Sequence, residues 1–203
     1  LSSSAAIECS TALALNELWQ ANLTRSQLAR AGQLAENEIV GAPTGIMDQS
    51  ASLLGERDHA VFLDCKSLEA QAIELGFDRE GLELMIIDTQ VSHRLTDGGY
   101  ATRRAACELG ASQMNVTSLR ELSENDLAKA EDIMDDVTFR RVRHIVTENN
   151  RVLETVANLK QLGPKSIGAL LNASHVSMRD DFEISIDELD TAVDVAVRHG
   201  AIG

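Results

Sequence analysis

The chain has 203 residues, 44% of them hydrophobic but only 3% aromatic, and a formal net charge of −14. That suffices for one large domain or two small ones, packed by Leu, Ile, Val and Ala rather than by rings. The acidic balance argues against a nucleic-acid partner, and no apolar run reaches the roughly 18 residues that a membrane span needs.

In chain order, residues 4–20 read as a helix that is apolar nearly all round and is therefore expected to be buried. Thr24 and Gln27 make a capping box for a second helix running to about Val40. "GAPTG" at 41–45 is a loop, and "IMDQSASLLG" reads as a short third helix ending at Gly55. The period then changes. "HAVFLDC" and "AQAIEL" look like a pair of strands, and "LELMIID" at 82–88 suits a buried strand. From Asp97 onward the pattern is mostly helical, with capping boxes expected at Ser118/Glu121, Ser123/Asp126 and Ser185/Glu188. A long helix should span about 138–162 and stop at Gly163-Pro164. The last helix should end at Gly200, with "AIG" reading as the start of a further strand. The expected fold class is α+β in two parts, with the boundary near Gly76, where "GFDREG" gives a short polar break.

Cys9, Cys65 and Cys107 are odd in number and lack a C-x-x-C spacing, which suits a reducing compartment. The five histidines are scattered without metal-ligand spacing, and no signal peptide is visible. A cytoplasmic protein is expected.

Three stretches can carry chemistry. Ser2, Ser3 and Ser4 lie at a helix N-terminus, whose free N–H groups and partial positive charge suit an anion. Their hydroxyls can donate to phosphate or ligate Mg²⁺; equally, one of them can be an ordinary N-cap. In "AENEIVGAPTGIMDQS", Glu36 belongs to the second helix and Asp48 to the first turn of the third, where the dipole favours the anion. Asp48 is then a base or a ligand, or simply complements the dipole with Glu36 on a solvated face. Gly41, Pro43 and Gly45 between them suit close backbone approach. In "TDGGYATRR" a two-glycine turn leads Tyr100 into a helix with Arg103 and Arg104. These groups suit a polyol or a carboxylate, or Tyr100 is a half-buried packing residue.

"LSSSAA" followed by "AENEIVGAPTGIMDQ" closely resembles the galactokinases of the GHMP small-molecule kinase superfamily. The resemblance continues through "FLDCKSLE", "VSHRLTDGGYATRRAACE", "FRRVRHIVTENNRV" and "SHVSMRDDFEIS", in order over essentially the whole chain. It implies a two-domain GHMP-kinase-like fold. Residues 1–76 would be the later part of the N-terminal, ATP-binding domain, and 77–203 a truncated, helix-rich, ferredoxin-like C-terminal domain. It implies ATP-dependent phosphorylation of the anomeric hydroxyl of galactose, with ATP and Mg²⁺ as cofactors and neither nucleic acid nor membrane as partner.

Carried over by position, the resemblance makes Asp48 the catalytic aspartate, Ser4 and Glu36 the Mg²⁺ ligands, and Ser2, Ser3 and Ser4 the phosphate-binding turn. Gly45, Asp48 and Tyr100 would contact the sugar. It also implies that this is the middle of a galactokinase. A proline- and glycine-rich approach to the serines, an N-terminal motif with an arginine and sugar-binding acids, and a glycine-rich third motif after "GAIG" would lie outside it. The 203 residues alone are therefore expected to be inactive. A galactokinase-like sensor without turnover and a sister kinase for another hexose stay open, and the resemblance is silent on oligomeric state.

Overall fold

The computed structural model describes residues 3–42, 44–91 and 99–203. Ser2, Pro43 and the first part of "TDGGYATRR" lie outside the described residues. Contacts divide the chain into two units, Leu1–Gly76 and Phe77–Gly203.

In the first unit, helix α1 (Ser3–Leu18) packs on α2 (Arg25–Ala35) and α3 (Met47–Leu54). α2 opens with the expected capping box: the Thr24 hydroxyl accepts from the Gln27 N–H at 3.3 Å, and the Gln27 side-chain oxygen accepts from the Thr24 N–H at 2.8 Å. Reciprocal capping satisfies two donors that a helix start otherwise leaves orphaned. α2 runs without a break into a π-helical turn, Glu36–Val40, which ends at Gly41 in the left-handed region with φ of 78°. A residue without Cβ takes that conformation at little cost. Strands β1 (His59–Leu63) and β2 (Ala70–Glu74) pair antiparallel, with Ala60 opposite Ile73 and Phe62 opposite Gln71. The core consists of Cys9, Leu28, Ala29, Ile46 and Leu53.

α1 is not buried all round. Only Ala5 and Cys9 are buried, while Ile7 and Leu18 are 69% and 74% exposed. Its composition would tolerate burial on every side, but within this unit it packs chiefly against α2 and α3.

Among its described residues the regular elements of the second unit are all helical. It comprises α4 (Phe77–Glu80), α5 (Gly99–Gln113), α6 (Leu127–Ile133), α7 (Asp136–Gln161), α8 (Gly168–Asp180) and α9 (Asp187–Arg198), with 3₁₀ turns at Leu119–Glu121, Glu124–Asp126 and Pro164–Ser166. Its core gathers Ala111, Met114, Leu119, Ala130, Phe139, Val142 and Val146 around α7. α7 starts two residues earlier than its apolar pattern suggests, because Asp135 caps it by accepting from the Thr138 N–H at 3.0 Å. It stops at Gly163, φ 84°, followed by Pro164.

Of the other capping boxes, that of Ser123 and Asp126 forms. The other two do not: Glu121 takes the Thr117 hydroxyl instead, and Ser185 donates to Asp190 at 2.6 Å. Residues 82–91 form no strand, and Leu84, Met85 and Ile86 are 75%, 72% and 71% exposed. A strand needs a hydrogen-bonding neighbour, and β1 with β2 is the only sheet among the described residues. Residues 201–203 likewise form no strand.

The "RDDFE" stretch between α8 and α9 is fastened by arginines. The Arg140 guanidinium donates to the Asp180 carbonyl at 3.0 Å, Arg103 donates to the Phe182 carbonyl at 2.7 Å, and Arg141 donates to the Asp181 carbonyl and the Glu183 carboxylate. Arg143 pairs with Asp181, and Phe182 stacks on His144 at 4.5 Å. Hydrogen bonds from Arg141 and Arg140 pull the Glu183 carboxyl down to about 2 from the usual 4.5. A depressed carboxyl stabilises the folded state above its unfolded value, and that contribution disappears as the pH falls from 4.5 through about 2. Glu183→Gln is therefore expected to lower the thermal midpoint at neutral pH and to flatten its acid limb across that window. Parallel midpoint–pH curves for the two proteins would remove Glu183 from the account.

Candidate active site

α1, the π turn and α3 converge in the first unit. Ser3 and Ser4 form the exposed first turn of α1, where backbone N–H groups have no helical acceptor. The Ser4 hydroxyl donates to Glu36 Oε1 at 3.4 Å, linking the start of α1 to the π turn. Glu36 itself is only 4% exposed, and its second oxygen, Oε2, has no hydrogen-bond partner.

The π turn explains how a glutamate comes to sit there. The Glu36 carbonyl accepts from the N–H groups of Gly41 and Ala42, the latter at 3.1 Å. The widened coil thus begins at the residue whose side chain turns inward. Single π turns inside α-helices recur at functional sites.

A second carboxylate stands beside it. Glu8 lies one turn after Ser4 on the same face of α1; the neighbouring Glu8 carboxyl, burial and the added charge of Asp48 hold Glu36 above the usual carboxylate range. Glu8 Oε2 also accepts from Gln49 Nε2 at 3.2 Å. Gln49 is 2% exposed, and its backbone carbonyl accepts from the Cys9 thiol at 3.8 Å. Gly32 of α2 gives these side chains their room: a Cβ there would lie 3.1 Å from Gln49 Cγ and 3.6 Å from Glu8 Oε2.

Asp48 precedes Gln49 in the first turn of α3 and is partly buried. Gly45, just before α3, is exposed, and a Cβ added there meets nothing within 4 Å. The structure therefore brings Ser4, Glu36 and the α3 turn bearing Asp48 into one unit. Tyr100 belongs to the other unit, in the first turn of α5, and is 53% exposed. Its neighbours Arg103 and Arg104 are engaged within the protein, Arg103 on backbone carbonyls and Arg104 on Glu108 at 2.9 Å. Ser2 lies outside the described residues.

Sequence reading missed Glu8 and Gln49. The i, i+4 spacing from Ser4 to Glu8 was the available signal, but an acid in an apolar helix becomes meaningful only once Glu36 is known to face it.

The residues fit a hard divalent cation. The donors are oxygens, one carboxylate oxygen is buried and unpartnered, and the excess charge is negative. Among the described residues no group of three or more His, Cys, Asp or Glu could enclose a metal. Mg²⁺ takes one or two carboxylates and draws its remaining ligands from water and substrate phosphates, so such a cage is not required for it.

Comparison with known proteins bears on the same residues. Residues 1–56 match the family described as GHMP kinases N terminal domain. The chain is 48% identical to a galactokinase of Streptomyces coelicolor (strain ATCC BAA-471 / A3(2) / M145), a match covering 100% of this chain and 53% of the relative. It is 46% identical to a galactokinase of Streptomyces lividans, covering 51% of that protein. The crystal structure of Lactococcus lactis galactokinase complexed with galactose superposes with a TM-score of 0.87 at 32% identity, covering 98% of this chain and 53% of the other. The chain thus spans about half the length of the relatives it matches. No helix among its described residues is long and apolar enough to cross a membrane.

Proposed function

We propose, on the premise that residues 1–56 are a GHMP kinase N-terminal domain within a galactokinase-like chain, that the protein transfers the γ-phosphoryl group of ATP to the anomeric hydroxyl of galactose. The observation that carries the reading most directly is Glu36: a buried carboxylate with one oxygen on the Ser4 hydroxyl and the other without a partner. Nothing in the packing of a solvated helix face calls for it.

Phosphoryl transfer needs positioning and charge neutralisation above all. The first-turn N–H groups of α1, with the hydroxyls of Ser2, Ser3 and Ser4, receive the phosphates. Ser4 and Glu36 would hold Mg²⁺, which when bound neutralises charge on the transferring group. Asp48, in the first turn of α3, hydrogen-bonds the anomeric hydroxyl and takes its proton. A bond forms between that oxygen and the γ-phosphorus, the β–γ bridging bond breaks, and ADP leaves. The open space at Gly45 lets the sugar approach backbone, and Tyr100 is read, on the resemblance, as a sugar-contacting residue.

In this reading Leu1–Gly76 belongs to the ATP-binding domain and Phe77–Gly203 to the C-terminal domain. On the same reading the protein works in the cytoplasm. The test is ADP release by the full-length protein with Mg²⁺, ATP and a panel of hexoses. Galactose-dependent release is expected. Release with another hexose in place of galactose would make it a sister kinase, and binding without release a sensor.

Glu36→Gln replaces a charged ligand by a neutral one. It is expected to raise the Mg²⁺ concentration for half-maximal rate at least about tenfold, a scale on which even outer-shell changes move metal affinity. An unchanged Mg²⁺ dependence would return Glu36 to a structural role.

A further inference from the structure

Glu8 is the side chain that joins the two halves of this site. On one side its charge bears on the Glu36 carboxyl of the π turn; on the other its Oε2 accepts from Gln49 Nε2 at 3.2 Å. Gln49 is 2% exposed and follows Asp48 directly in α3. Its other amide atom, Oε1, is buried without a partner, so the bond to Glu8 is what anchors this buried amide. Consecutive helical residues are about 100° apart around the axis, so the depth and rotation at which Gln49 is held set where Asp48 points. Gly32 allows α2 to lie close enough to shut this contact in.

We propose that Glu8 is a positioning residue for phosphoryl transfer: through Gln49 it sets the rotation of α3, and so the aim of Asp48 at the acceptor hydroxyl. Glu8 itself touches neither sugar nor nucleotide. The idea rests on the kinase reading above and adds a role that neither the "GIMDQ" nor the "LSSSAA" residues carry by themselves.

The experiment compares full-length wild type, Glu8→Ala, Glu8→Gln, Gln49→Ala and the Glu8→Ala/Gln49→Ala double variant at saturating Mg²⁺. For each, kcat, the KM for galactose, galactose binding by calorimetry and the thermal midpoint are measured. Glu8→Ala is expected to lower kcat on the order of 10- to 100-fold, the cost of a misaimed group, with galactose KM and affinity within about twofold of wild type. Glu8→Gln should recover most of that loss, because its amide oxygen still accepts from Gln49. The double variant should be no slower than the worse single variant, since both act through one bond.

A Glu8→Ala enzyme within twofold of wild-type kcat would overturn the proposal while leaving the kinase reading intact. So would additive losses in the double variant, or a kcat loss that follows the thermal midpoint and is not recovered by Glu8→Gln. Absence of galactose-dependent turnover in the wild type would overturn both.

Discussion

Asp48→Asn in the full-length protein is expected to lower kcat by about 10²–10⁴-fold, the range that a positioned general base contributes, while galactose binds nearly as before. The amide keeps the shape and one acceptor oxygen but cannot take the proton. Stability is not expected to explain the loss. An acid in the first turn of α3 interacts with the helix dipole by only about 0.3–1 kcal/mol at partly exposed positions, and Asn keeps part of that. The measurement is kcat and galactose affinity on the same preparation: a kcat loss with affinity retained removes an interaction made in the transition state. Turnover within a few-fold of wild type would make Asp48 a dipole-complementing residue and move the base elsewhere.

A large stability effect is expected at Gly110, in the second unit. α5 crosses α7 there so closely that a Cβ on Gly110 would lie 2.4 Å from Val142 Cγ2, with Thr138 Cγ2 at 3.6 Å behind it. Val142 is 0% exposed and stands at the centre of the core. A valine in a helix has essentially one χ1 well, so it cannot swing aside. Gly110→Ala should therefore cost about 1–3 kcal/mol by overpacking, despite the better helix propensity of alanine. At roughly 2–4 °C per kcal/mol for a chain of this size, the thermal midpoint falls by about 2–12 °C. Adding Val142→Ala should recover part of the loss by opening the space the new methyl needs. A single Gly110→Ala variant as stable as wild type would show that α5 and α7 shift apart freely.

What the sequence discloses and what it hides divide along physical lines. Local chemistry was legible: the Thr24–Gln27 capping box, the stop at Gly163-Pro164 and the β1–β2 pair depend on neighbours a few residues away. Features set by distant partners were not. The π turn at Glu36 has no composition of its own, and Glu8 gains its meaning from Glu36 and Gln49 on other elements.

Ser185 and Glu121 look like capping residues, yet stronger partners claim Ser185 and a different hydroxyl reaches Glu121. "RDDFE" marked the family without disclosing why its residues are held, which is that Arg103, Arg140, Arg141 and Arg143 bind its backbone and carboxylates. Apolar patterning also overstated burial, for α1 and for 82–88 alike. It reports what a segment tolerates, whereas burial depends on which surfaces meet it. Among the candidate site residues, Ser4 and Glu36 were paired only by the resemblance, as Mg²⁺ ligands. Their 3.4 Å contact comes from the fold alone.

The central claim is that this site moves a phosphoryl group from ATP to the anomeric oxygen of galactose. The most direct test follows the phosphorus nuclei of a reaction containing the full-length protein, ATP, Mg²⁺ and galactose by ³¹P NMR. The account predicts that the γ-phosphate signal of ATP falls while a sugar phosphate signal coupled to the anomeric proton rises in equal amount. Growth of inorganic phosphate instead, or of a phosphate ester on any other carbon, would contradict it.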